Sequence, residues 1–293
     1  MLILPDGLPA IRLLAQEGIT LQGDGAGSLA ARALRIAVLN LMPKKTETET
    51  DLVRLLSASP LPLELCLMRL RSHVPKNTSA GHMQAFYRFF DEMREEQFDG
   101  FIITGAPVEH LEYEEVDYWE ELCDIFSWSR THATSTLYIC WAAQAGLYCH
   151  YGIRKHPLVE KMFGIFPQVP LQPSLPIFRS FDDVFPMPHS RHTEVRREDI
   201  VAVPELTVIA EGDESGVSMV MAREGREVYV TGHPEYSPAR LDTEYRRDLA
   251  KGLPIRMPAN YYRDDDPQAG PLVTWRAHGN LLFQNWLNHY VRR

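Results

Sequence analysis

The chain has 293 residues, 45% of them hydrophobic and 24% charged, with a formal net charge of -9. At about 150 residues per domain that length accommodates one or two domains with a core to bury, while the negative balance argues against nucleic acid as a partner. No apolar run approaches the roughly 20 residues that span a bilayer, so no membrane association is expected.

The opening stretch MLILPDGLPAIRLLAQEG lacks the basic and long apolar regions of a secretory signal, and a cytoplasmic location is expected. Short apolar runs then alternate with helical patterns. Strands are predicted at 34–41, 63–70, 100–104, 135–139 and 228–231, and runs as apolar as IAVLNL suit strands covered on both faces. Helices are predicted at 47–57, 82–96, 114–129 and 142–151. The alternation implies an α/β fold with a mainly parallel sheet. Segments 216–222 and 227–231 flank REGR and read as a hairpin. Segment 155–197, rich in Pro and His, reads as an elaboration near a site, and DDD at 264–266 as a solvated loop.

Four cysteines occur, none in a C-x-x-C pair. Cys66, Cys123 and Cys149 read as free thiols acting as small hydrophobes. Cys140 differs, because LYICWAAQAGL at 137–147 sets it where a strand ends and a helix begins. Such an elbow exposes a nucleophile at the positive end of the helix, which favours the thiolate. On this stretch alone a core cysteine and a nucleophile both remain open. TGHPEYS at 231–237 also follows an apolar strand, and Pro234 stiffens the turn between His233 and Glu235. Nucleophile, base and orienting acid are then available from two strand ends. A third strand ends in GAPVE at 105–109, a tight turn whose N–H groups could join that of Trp141 in an oxyanion hole. All three motifs would meet at the carboxyl ends of parallel strands, where open α/β sheets bind ligands.

Cys140 with Gln144, and HPE at 233–235, resemble the class I glutamine amidotransferase fold. LRIAVLNLMPKKTETETDLVRLLS, SHVPKNT, DGFIITGAPVE, EEVDYWEEL, STLYICWAAQAGLYCHYGI, TGHPEYS, EYRRDL and HGNLLFQNWLN resemble one branch, the homoserine O-acyltransferases of methionine biosynthesis. The resemblance covers almost the whole chain. It implies a flavodoxin-like sheet with helices on both faces and a single unit over 1–293. Within that unit, an amino-terminal extension is expected at about 1–33, a catalytic core at 34–255 and a carboxyl-terminal extension at 256–293.

The resemblance further implies site residues. Cys140 would carry the acyl thioester, with His233 as base and Glu235 as its partner. Lys161 in VEKMFGIF, Ser190 in MPHSRHTE and Arg247 in EYRRDL would bind homoserine. The backbone of Trp141, Gly105 and Ala106 would form the oxyanion hole. Glu244, one helical turn before Arg247, is a further candidate for the substrate ammonium. Ala142 departs from the glycine expected in many members. Glu109, after Gly-Ala-Pro-Val, would govern the acyl donor: glutamate goes with acetyl transfer and glycine with succinyl transfer. Two like charges about 4 Å apart cost roughly 4 kcal/mol at an effective dielectric near 20. Homoserine and acetyl-CoA are therefore the expected substrates, with no cofactor or metal, and a homodimer is expected. Four rivals stand beside this reading. They are a homoserine O-succinyltransferase; a glutaminase, disfavoured because Tyr138 and Ala142 stand where glycines usually flank the nucleophile; a non-catalytic metabolite-binding module; and a metal site at His189 and His192.

Overall fold

The computed structural model describes residues 2–19, 21–23 and 33–292, so residues 1, 20 and 24–32 of the expected amino-terminal extension lie outside the described residues. The first part comprises β1 (Leu2–Leu4), α1 (Pro9–Ala15) and β2 (Gln22–Gly23). Next come β3 (Leu34–Leu39), α2 (Lys45–Ser57), β4 (Leu63–Arg69), α3 (Ala80–Phe86), β5 (Tyr87–Phe89), α4 (Phe90–Met93) and β6 (Phe98–Ile103). They are followed by α5 (Trp119–His132), β7 (Ala133–Ile139) and α6 (Trp141–Tyr151). The rest comprises β8 (His156–Pro170), β9 (Phe185–Glu194), α7 (Arg197–Val201), β10 (Leu206–Gly212), β11 (Gly216–Ala222), β12 (Glu227–Val230), α8 (Arg240–Ala250) and α9 (Arg276–Trp286).

Strand order across the sheet is β2-β1-β4-β3-β6-β7-β12-β11-β10-β8-β9, with β5 paired to β4. Pairing is parallel from β2 through β12 and antiparallel beyond it. The switch follows from connection length. The REGR turn is too short for anything but a hairpin between β11 and β12, whereas a helix carries the chain between β6 and β7. Both faces of the central strands are buried. Ile36 and Val38 join one core with α1, α2 and α9, while Ala37 and Leu39 join another with α5 and α6. That is the period of two in an apolar run, covered on both sides. α9 lies directly on the sheet: Trp286 Nε1 donates to Ser135 Oγ at 2.9 Å, and a side chain at Gly100 would strike its ring at 2.9 Å.

The expected helix at 82–96 is broken. The chain leaves α3 at Phe86, and Tyr87–Phe89 pairs with the end of β4 before α4 begins. Tertiary contacts override helical propensity here: Tyr87 Oη donates to the buried Glu49 at 2.6 Å, and the guanidiniums of Arg69 and Arg71 lie 3.7 and 4.0 Å from the Phe89 ring centre. The helix expected at 114–129 begins later, at Trp119, after a 3₁₀ turn at Tyr113–Glu115. Segment 155–197 forms the long β8–β9 hairpin, whose register shifts between Pro157 and Met162. Cys66, Cys123 and Cys149 are free and half-buried.

Candidate active site

Cys140 caps α6 directly after β7 with φ 54° and ψ -117°. A non-glycine residue at positive φ costs on the order of 1–3 kcal/mol and persists only where its surroundings impose it. Here β7 and β12 run parallel in register to Ile139↔Val230, and the Cys140 N–H donates to Val230 O at 2.7 Å. Gly105 backs the elbow, since a Cβ there would lie 3.2 Å from that of Cys140. α6 packs close because Gly146 has no side chain: a Cβ would come within 2.9 Å of the Tyr138 ring, which itself stacks on Tyr229. Ala142 is fully buried in the same contact layer. Trp141 begins α6, so its N–H belongs to the first turn, which lacks intrahelical acceptors. Gly105 and Ala106 line the cleft beside it.

His233 stands at the end of the neighbouring strand β12 and is 3% exposed. Its Nδ1 meets Glu235 Oε1 at 2.7 Å and its main-chain N–H donates to Pro188 O at 2.8 Å. Burial alone would lower its pKa. The charge of Cys140, the Glu235 carboxylate and hydrogen bonds to both instead hold it well above the usual histidine value. The ring interacts with both Cys140 and Glu235, the relation that nucleophilic catalysis requires of thiol, base and orienting acid. Tyr236, which the sequence reading missed, stacks on the imidazole with ring centres 4.0 Å apart and planes 14° apart. Its position next to Glu235 was the available signal.

These groups open into a cleft of about 340 Å³. Its far wall comes from β8, β9 and α8 and carries Lys161, Ser190, Glu244, Arg247 and Asp248. Lys161 Nζ pairs with Glu244 Oε1 at 2.5 Å, and Ser190 Oγ donates to the same oxygen at 2.9 Å. Arg247 grips Asp248 through Nε at 2.6 Å and Nη2 at 2.8 Å, holding that carboxyl below its usual range, and reaches Glu244 at 3.7 Å. All three substrate-binding candidates thus line one wall, with Glu244 at its centre. Asp248 was missed because adjacent helical residues do not ordinarily face each other. The wall is pinned to the elbow by Gln144 on α6. Its Oε1 accepts from Thr193 Oγ1 at 2.7 Å, and its Nε2 donates to Thr193 O at 3.2 Å.

Glu109 also lines the cleft, and its Oε2 accepts from the main-chain N–H of His192 at 2.5 Å. Burial raises its pKa, partly offset by that hydrogen bond and by the nearby charges of His233, Lys161 and Arg191. His189 and His192 do not converge, because residues three apart on a strand point to opposite faces. His189 is fully buried with Gln168 and Arg191, whereas His192 lies in the cleft against the His110 ring, 4.5 Å between centres. Among the described residues no group of three or more His, Cys, Asp or Glu side chains is arranged to hold a metal ion. Nor is any described helix long and apolar enough to cross a membrane.

The homoserine O-succinyltransferase family model matches residues 1–293. A homoserine O-acetyltransferase of Bacteroides thetaiotaomicron is 64% identical over 289 residues, covering 98% of this chain and 95% of that protein. One of Brevibacillus brevis is 56% identical, covering 98% and 94%, and one of Geobacillus kaustophilus 53%, covering 98% and 96%. Among solved structures, a glutamine amidotransferase from Thermotoga maritima superimposes with a TM-score of 0.58 at 12% identity, covering 89% of this chain and 99% of that one. That likeness bears on the fold, which matches the class I glutamine amidotransferase architecture expected from the sequence.

Proposed function

The chain belongs to the homoserine O-succinyltransferase family, and from that premise we propose that it is a homoserine O-acetyltransferase of methionine biosynthesis. One observation carries the chemistry: Cys140 and the His233–Glu235 pair stand at the ends of hydrogen-bonded parallel strands and face a wall of paired charges. Homoserine is a zwitterion with a γ-hydroxyl. Its carboxylate complements Arg247 and Lys161, its ammonium complements Glu244, and Ser190 supplies a further hydrogen bond.

The reaction runs in two halves. The Cys140 thiolate attacks the thioester carbonyl of acetyl-CoA, and the oxyanion develops toward the Trp141 N–H and the Gly105–Ala106 turn. The C–S bond to CoA breaks, and CoA leaves as the thiol with the proton of the His233 imidazolium. The neutral ring then accepts the γ-hydroxyl proton of homoserine while that oxygen attacks acetyl-Cys140. O-acetylhomoserine departs, and the thiolate–imidazolium pair is restored. Kinetics are ping-pong.

Glu109 supports acetyl over succinyl. Its side chain occupies cleft volume in either protonation state, and when ionised it repels the terminal carboxylate of a succinyl group. The experiment is purified enzyme with homoserine and either donor, beside intact-protein mass after each acyl-CoA alone. Acetyl transfer with an acetyl adduct on Cys140 is expected. Glu109→Gly should move kcat/KM toward succinyl-CoA, and a wild type that prefers succinyl-CoA would overturn the donor assignment. The homodimer expected from the family resemblance is tested by sedimentation velocity.

A further inference from the structure

Lys155 lies on the segment between α6 and β8, outside the cleft lining. Glu112, Glu109, Glu114 and Glu115 are all close enough to act on its charge. Its Nζ nevertheless donates to two main-chain carbonyls, that of Glu109 at 2.8 Å and that of Leu111. The ammonium also sits 4.8 Å from the ring centre of Tyr113. Tyr113 is itself clamped, stacked on Tyr148 of α6 at 4.6 Å and on Trp119 of α5 at 5.2 Å.

The turn that carries Glu109 has little structure of its own. Among the described residues its internal backbone bond is Leu111 N–H to Val108 O at 3.1 Å. Glu109 is therefore tethered twice: its carboxylate by the His192 N–H of β9, and its main chain by Lys155. With the second tether removed, the turn is held through the His192 contact and is freer to shift, and displacements of about 1 Å in a positioned group change rates by large factors.

We infer that Lys155 is a positioning residue for acyl-donor specificity, holding the Glu109 turn so that its carboxylate stays in the acyl end of the cleft. This rests on the reading of Glu109 given above. Lys155 does not line the cleft, so the expected effect of its loss is a change of preference.

The test measures kcat/KM for acetyl-CoA and succinyl-CoA in wild type, Lys155→Met, Lys155→Gln, Lys155→Arg and Glu109→Gly. Thermal unfolding shows which variants are folded, and the glutamine variant substitutes if the methionine one is not. The acetyl-to-succinyl ratio should fall more than about five-fold in Lys155→Met and Lys155→Gln, and Lys155→Arg, which can donate to both carbonyls, should keep it near wild type. The homoserine KM, which general loosening of the site would raise, should stay within about two-fold. A smaller fall in a folded Lys155→Met or Lys155→Gln protein, with Glu109→Gly shifting the ratio, overturns the inference and leaves the Glu109 reading intact. If Glu109→Gly itself leaves the ratio unchanged, the donor reading fails and takes this inference with it.

Discussion

The two walls of the cleft are built on different principles. On the elbow wall, Cys140 and His233 are aimed by backbone: strand register, a strained φ and a hydrogen bond between adjacent strand ends. On the opposite wall, Lys161, Ser190, Glu244, Arg247 and Asp248 are aimed by one another, through ion pairs at a partly exposed rim. On the proposed reading the first wall holds thiol, imidazole and carboxylate in place before substrate arrives. The second is a closed charge network, and on the proposed reading an incoming zwitterion would exchange its pairs for its own carboxylate and ammonium. The walls should therefore separate in kinetics, with losses in kcat on one side and in homoserine KM on the other.

The largest effect is expected at the nucleophile. Cys140→Ala should lower kcat by at least about 10³-fold with the fold retained, and show no acyl adduct after acyl-CoA. Substantial turnover in that variant would remove the elbow wall from the chemistry. His233→Ala should lower kcat by about 10²–10⁴-fold, the usual span for a general base, and Glu235→Gln by less, since it orients the ring and does not exchange the proton with substrate. Steady-state kinetics that moved KM alone would erase the distinction between the walls. Arg247→Ala should raise the homoserine KM by about 10–10²-fold, as expected for loss of a charge-assisted hydrogen bond. An unchanged KM would take Arg247 out of the carboxylate site.

The smallest effect sharpens the electrostatics of the elbow wall. The folded pKa of His233 is raised, so the stabilisation that its protonated ring confers is complete below the unfolded value of about 6.5 and is lost as pH rises through the folded value. The Tm of wild type minus that of His233→Gln should narrow as pH increases above about 6.5. In Cys140→Ala the imidazole resonances should titrate at lower pH, because the sulfur charge that raises the value is gone. A flat Tm difference would argue against the charge pair.

The walls also differed in how far they could be read from sequence. The elbow, HPE and GAPVE were legible because each is an apolar strand followed at once by its functional residues, and parallel strands deliver such ends to one edge. The opposite wall was legible only as single residues matched to a family. Its hairpin is marked by Pro at 157, 167, 170, 186 and 188 and by half-exposed side chains, which mask a period of two, and its bulge breaks the register. The pairings of Glu244 with Lys161 and Ser190 span 83 and 54 residues and have no local signature. The break at Tyr87 was missed for the same reason, because its cause lies in Glu49 and the end of β4.

The hydrogen bond from the Cys140 amide to Val230 O has a mechanical consequence. It makes the last rung of the β7–β12 ladder a crossbar between the chain carrying the sulfur and the chain carrying the imidazole. Twisting or breathing of the sheet is therefore expected to move both groups together. Opening that rung would release both at once, which places the Cys140 amide among those expected to exchange with solvent at the slow, near-global rate.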